Sequence, residues 1–176
     1  MAIDYPLFVP PEHLAEKGRR NWSAKEAKEY KAWLLGELDG RADALIVALC
    51  EPERPNPVEH LEALGQKAAT LLAKVRFSEV SPRGPQLTNA GYALAADMGL
   101  LVARYLLRDA PEKLRWEVLR KPKSELSYNL PVLEGFSSTN YLEPVGGSIA
   151  EAYGVLRGAR AADTWKRIYQ VWMSDT

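Results

Sequence analysis

The chain is 176 residues long, 47% hydrophobic and 26% charged, and its 23 Lys+Arg balance its 23 Asp+Glu. These values fit one ordinary globular domain with a buried core and exclude wholesale disorder. They also lack the cationic surplus with which general nucleic-acid binders displace counterions, so no nucleic acid is expected as a partner.

One cysteine, Cys50, permits no intrachain disulfide and fits a reducing, cytoplasmic setting. The N-terminus has no basic region leading into an apolar run, so no secretory signal is expected. The most apolar stretch, Ala90 to Leu107, is interrupted by Asp97 and Arg104. A membrane span needs roughly 20 nearly uncharged residues, so this stretch reads as a buried helix and no membrane partner is expected.

Residues 1–20 carry Pro6, Pro10 and Pro11 around Leu7, Phe8 and Val9. The prolines oppose a long helix and the apolar trio opposes a free tail, so an extended arm lying on the domain is predicted. Ser23-Ala24-Lys25-Glu26 is a capping box, and apolar residues follow at Ala27, Tyr30, Leu34, Leu38, Ala42, Leu45 and Leu49. The rhythm passes Gly40 without a phase slip and predicts one helix ending before Pro52, with Asp39-Gly40 the place where it would split if it were two. Asn56-Pro57-Val58-Glu59 opens the next helix with a cap residue, a first-turn proline and an acid. Ser81-Pro82-Arg83-Gly84-Pro85 breaks it.

Thr88 caps a third helix that is apolar nearly all round, which places it at the centre of the fold. Leu87 and Tyr92 stand at the positions of a hydrophobic staple, and Gly91, Ala95, Gly99 and Ala103 form a smooth stripe for close approach of another helix. From Leu114 the period changes to two: Leu114, Trp116 and Val118 alternate with Arg115 and Glu117, as in a strand. Tyr128 to Phe136 is a second apolar run, reduced to an edge strand or ordered loop by Pro131 and Gly135. Pro144 to Leu156 reads as helix, Gly158 closes it, and Ala161, Trp165, Ile168 and Trp172 mark a final helical stripe. The expected fold is therefore mainly α: a single-domain bundle of about five helices around a central apolar helix, with a short β-hairpin or extended segment at 114–136.

Few side chains carry recognisable chemistry. Cys50 and His60 are the one thiol–imidazole combination, and Cys50 closes an apolar stripe where a small buried residue fits equally well. His13 and His60 match no metal-ligand spacing, so no metal and no cofactor are expected. Gly146-Gly147-Ser148 at a helix start offers backbone N–H groups to an anion, without the strand–loop–helix setting of a nucleotide site. Asp97 is the single acid in the apolar stretch Ala90 to Leu107, and burial obliges it to find donors. The expected donors lie in the Tyr128-Asn129 loop, as a structural tie, or around a pocket that also includes Tyr141.

Charge is segregated along the chain: residues 1–62 hold four more acids than bases, and residues 63–176 four more bases than acids. Arg115, Arg120, Lys121 and Lys123 lie close in sequence to Trp116 and Tyr128, a mixture of Arg and aromatic residues enriched at protein interfaces. The expectation is a non-enzymatic module that binds a protein partner through these six residues, of the toxin-neutralising (immunity- or antitoxin-like) kind, with self-association left open. The alternative is a small enzyme or ligand-binding protein whose pocket, with Asp97, Asn129 and Tyr141, lies between Asp97 and the 128–141 segment.

Overall fold

The computed structural model describes residues 5–77, 82, 84–138 and 140–176. Within them lie six α-helices and a two-stranded antiparallel ladder: α1 (Glu12–Lys17), α2 (Ala24–Ala48), α3 (Pro57–Leu72), α4 (Asn89–Asp109), β1 (Arg115–Val118), β2 (Pro131–Glu134), α5 (Pro144–Leu156) and α6 (Thr164–Met173). The fold is a helical bundle carrying a small hairpin, as the periodicities imply. Part of the proline-rich break, Ser81 and Arg83, lies outside the described residues.

Helix starts follow local chemistry. At α2 the Ser23 hydroxyl accepts the Glu26 N–H (3.2 Å) while the Glu26 carboxylate accepts the Ser23 N–H (2.6 Å). Asn56 caps α3 by accepting the Val58 N–H, and Thr88 caps α4 by accepting the Gly91 N–H. Helix α2 runs unbroken through Gly40, because its apolar face keeps phase and nothing crowds that glycine.

Helix α4 forms the centre, with Leu94, Met98, Leu101 and Tyr105 buried among residues from α2, α3, α5 and α6. By length and composition it would suffice to cross a membrane, but 78% of its apolar window is buried within the protein. Its small-residue stripe does two jobs. A Cβ on Gly99 would stand 2.0 Å from the Pro144 carbonyl oxygen and 2.7 Å from Ser148 Cβ, so α4 and α5 meet backbone to backbone there. Gly91, expected to face a helix, instead abuts the chain between α3 and α4, where its Cβ would lie 2.7 Å from the Val75 oxygen. Next to Gly99 the Ser148 hydroxyl donates to the Ala95 carbonyl (2.5 Å) and accepts the Trp165 indole N–H (2.7 Å), tying α4, α5 and α6 together.

The N-terminal segment departs from the expected extended arm. Residues 5–11 form no regular element, but α1 follows, with Pro11 at its N-cap, where a proline costs no intrahelical bond. Fully buried Leu14 anchors α1, and Gly18, at φ +71°, stops it. Leu14 packs with Trp22, Ala27 and Tyr30 in a second small core, and the Trp22 indole N–H donates to the Leu14 carbonyl (2.9 Å).

The staple geometry also differs. Leu87 is buried, whereas Tyr92 is 39% exposed and its hydroxyl meets that of Tyr153 at 2.7 Å. In the hairpin Arg115 pairs with Glu134 and Val118 with Pro131, and Leu142 adds one further bridge to Leu133.

Candidate functional site

Asp97 is completely buried on α4, and its partners come from an unexpected direction. Arg41 of α2 grips the carboxylate in two-pronged fashion, Nε to Oδ1 at 2.5 Å and NH2 to Oδ2 at 2.9 Å, and the Tyr5 hydroxyl donates to Oδ2 at 2.6 Å. The same guanidinium donates to the carbonyls of Pro6 and Leu7, both at 3.0 Å, and lies 4.9 Å from the Phe8 ring centroid. Burial pushes the Asp97 carboxyl above the usual carboxylate range, and the Arg41 and Tyr5 bonds pull it back. Every strong partner is therefore protein, and this cluster clasps the N-terminal segment onto α2 and α4. The expected pocket at Asp97 is filled, and Tyr128, Asn129 and Tyr141 lie elsewhere.

Asn129 is instead the hub of a second tie. It is fully buried in a left-handed conformation (φ +69°), one that Asn tolerates better than most residues. Its amide donates to the carbonyls of Arg19 (2.6 Å) and Trp22 (3.1 Å), and its side-chain oxygen accepts from Arg120. Arg120 also lies over the Tyr128 ring, 5.3 Å from its centroid. The bonds bring the turn after α1 beside the loop between β1 and β2.

The six residues singled out for partner binding thus divide. Tyr128 is buried and Trp116 half-buried against the core, so neither supplies a free aromatic face. Arg115 is exposed but stands near Glu117 and Glu134, each at 3.7 Å. Arg120 is committed to Asn129 and Tyr128. Lys121 and Lys123 are exposed, and Arg20, about a hundred residues earlier in the chain and not among the six, is exposed on the adjoining turn. Among the described residues none of Arg20, Arg120, Lys121 and Lys123 has a carboxylate partner. Leu126, 74% exposed, belongs to the same loop.

Beside this loop opens a cleft of about 610 Å³, bounded by Arg19, Tyr30, Leu34, Leu126, Leu130, Tyr141, Glu143 and Ile149 among others. Glu143 caps α5, its carboxylate accepting the N–H groups of Val145 (3.0 Å) and Gly146 (2.8 Å). The anion-binding potential of the Gly146-Gly147 start is consequently met by the chain's own carboxylate. Burial pushes the Glu143 carboxyl upward, against those backbone bonds. Arg19 turns to the Leu126 carbonyl (2.9 Å), and the Tyr141 hydroxyl donates to Glu125 (3.0 Å). Tyr30 is 8% exposed, and its hydroxyl has no hydrogen-bond partner among the described residues. Burial first, and the nearby Glu143 charge second, push that hydroxyl well above the usual tyrosine range.

The remaining candidates stay apart. Cys50, expected at a buried stripe end, is exposed at φ +48° just past α2. His60 is fully buried, with Nδ1 at 2.5 Å from the Tyr105 hydroxyl, so the thiol and the imidazole do not form a pair. Burial holds the His60 ring below the ordinary imidazole range, and its Nε2 is unpartnered among the described residues. His13 is exposed beside Glu29 at 2.9 Å. Among the described residues no three His, Cys, Asp or Glu side chains converge as metal ligands would. No protein family, curated protein or solved structure matches this chain.

Proposed function

We propose that this protein is a non-enzymatic binding module that engages an acidic protein through the face built from the turn at Arg19–Asn21 and the loop between β1 and β2. One observation carries the reading: four cationic side chains, Arg20, Arg120, Lys121 and Lys123, stand on adjoining turns without carboxylate partners among the described residues. Unneutralised charge of one sign on neighbouring turns steers encounter with an oppositely charged surface and selects against like-charged partners. Asn129 holds the two turns together and Arg120 is fixed by its bonds, so the face is presented with little ordering left to do on binding. Exposed Leu126 offers an apolar contact at its edge. Toxin neutralisation is the narrower form of the proposal, and it rests on the chain's size and on the lack of an assembled nucleophile–base pair among the described residues.

The test is affinity capture from native lysate with the wild type and with a Lys121→Glu/Lys123→Glu variant of unchanged circular dichroism. A protein retained by wild type, released by moderate salt and lost from the variant supports the reading. Equal retention by both, indifferent to salt, refutes it.

A further inference from the structure

We propose that the cleft between α2, β2 and α5 is a binding site for a small organic ammonium with an apolar body, its cationic head seated between Glu143 and Tyr30. The volume, about 610 Å³, suits a small molecule and is too large to be a packing gap. Most of the wall is apolar, supplied by Leu34, Leu130 and Ile149, while the polar groups gather at Glu143, Tyr30, Tyr141 and Arg19.

Those polar groups select the ligand's charge. The Glu143 carboxylate spends one bond per oxygen on the start of α5 and makes no salt bridge among the described residues, which leaves lone pairs toward the cleft. Arg19 makes no contact pair with Glu143, its guanidinium being held on the Leu126 carbonyl, although its charge still reaches the carboxylate and favours the ionised form. The Tyr30 hydroxyl borders the cleft and has no protein partner among the described residues, so its oxygen is free to accept a bond from a ligand. An ammonium has three donors: one meets Glu143, one meets the Tyr30 oxygen, and the third remains for water. Glu125, bonded to Tyr141, contributes a second negative charge at the edge. A ligand carboxylate would face Glu143 directly, and a neutral alcohol would forgo the charge pairing. Glu143 also senses its enclosure, since burial already disfavours its ionised form and a cation would reverse that.

This site adjoins the cationic face, sharing Arg19 and Leu126 with it, and is tested on the purified full chain with no partner present, so its outcome is read separately from that of the face. Phenethylamine, phenethyl alcohol and hydrocinnamate share one ring and differ in head-group charge. Calorimetric titration should show the amine binding about tenfold or more tightly than either analogue. Glu143→Gln should abolish that preference, and Tyr30→Phe, which keeps the ring, should weaken the amine several-fold with the spectrum of the folded protein unchanged. If Glu143→Gln loses its helix cap and fails to fold, Tyr30→Phe decides. No amine binding up to about 10 mM, equal affinity for the three probes, or an amine affinity untouched by Tyr30→Phe would overturn the assignment.

Discussion

Replacing Gly99 by alanine tests the closest approach in the fold. The new Cβ would meet the Pro144 carbonyl oxygen at 2.0 Å, the Pro144 carbonyl carbon at 2.8 Å and Ser148 Cβ at 2.7 Å. Two of these are backbone atoms, so no rotamer change clears the methyl and α5 itself must retreat by about 1 Å or more to regain ordinary contact. Retreat stretches the Ser148–Ala95 bond (2.5 Å) and the Trp165–Ser148 bond (2.7 Å), both buried. Overpacking costs about 1–3 kcal/mol, and each weakened buried hydrogen bond adds up to about 1 kcal/mol. Alanine's better helix propensity returns up to about 1 kcal/mol. The net loss is about 1–3 kcal/mol, and at roughly 2–4 °C per kcal/mol the Tm falls by several degrees. Gly40→Ala is the matched control: it lies in α2 with nothing within 4 Å of the added Cβ, and it should gain about 0.5–1 kcal/mol. Urea and thermal melts followed by circular dichroism measure both. A Gly99→Ala protein as stable as wild type would show that α4 and α5 do not meet at this point.

Asp97→Ala should destabilise by about 3–5 kcal/mol, because it strands buried Arg41, and limited proteolysis should then cut first before α1. His60 is held neutral in the folded state with its pKa below the unfolded value of about 6.5, so below that pH the unfolded chain takes up a proton the folded chain refuses. Stability should therefore fall as pH drops through about 6.5, and His60→Gln should flatten that part of the urea-midpoint profile. Native Cys50, being exposed, should react with a thiol reagent as fast as in the urea-unfolded chain, to within a few-fold.

Signals that act over one helical turn were legible in the sequence. The capping box at Ser23, the Asn56-Pro57 start and the apolar stripes located α2, α3 and α4, because caps and periodicity are decided by residues three or four apart. Alternation at 114–118 located β1 for the same reason. What stayed hidden depends on residues far apart in the chain. Asp97 was recognisable as a buried acid needing donors, but its partners Arg41 and Tyr5 lie 56 and 92 residues away, and no local pattern points to them. Arg20 joins the cationic face only because Asn129 reaches back across 110 residues to the Arg19 carbonyl. Helix α1 was obscured by Pro11, which reads as a breaker and in fact sits at the cap. The cleft needed Tyr30, Tyr141 and Glu143 to converge from separate elements, and Glu143, just outside the helix expected from Pro144, carried no distinguishing signal.

The most direct measurement of the cationic-face account is the affinity of a captured partner for wild type and for Lys121→Glu/Lys123→Glu at low and at physiological salt. The account predicts a wild-type affinity that falls as the Debye length shrinks to about 8 Å, and a variant that binds about tenfold or more weakly at low salt with little further salt dependence. Identical affinities for the two proteins at both salt concentrations would contradict it.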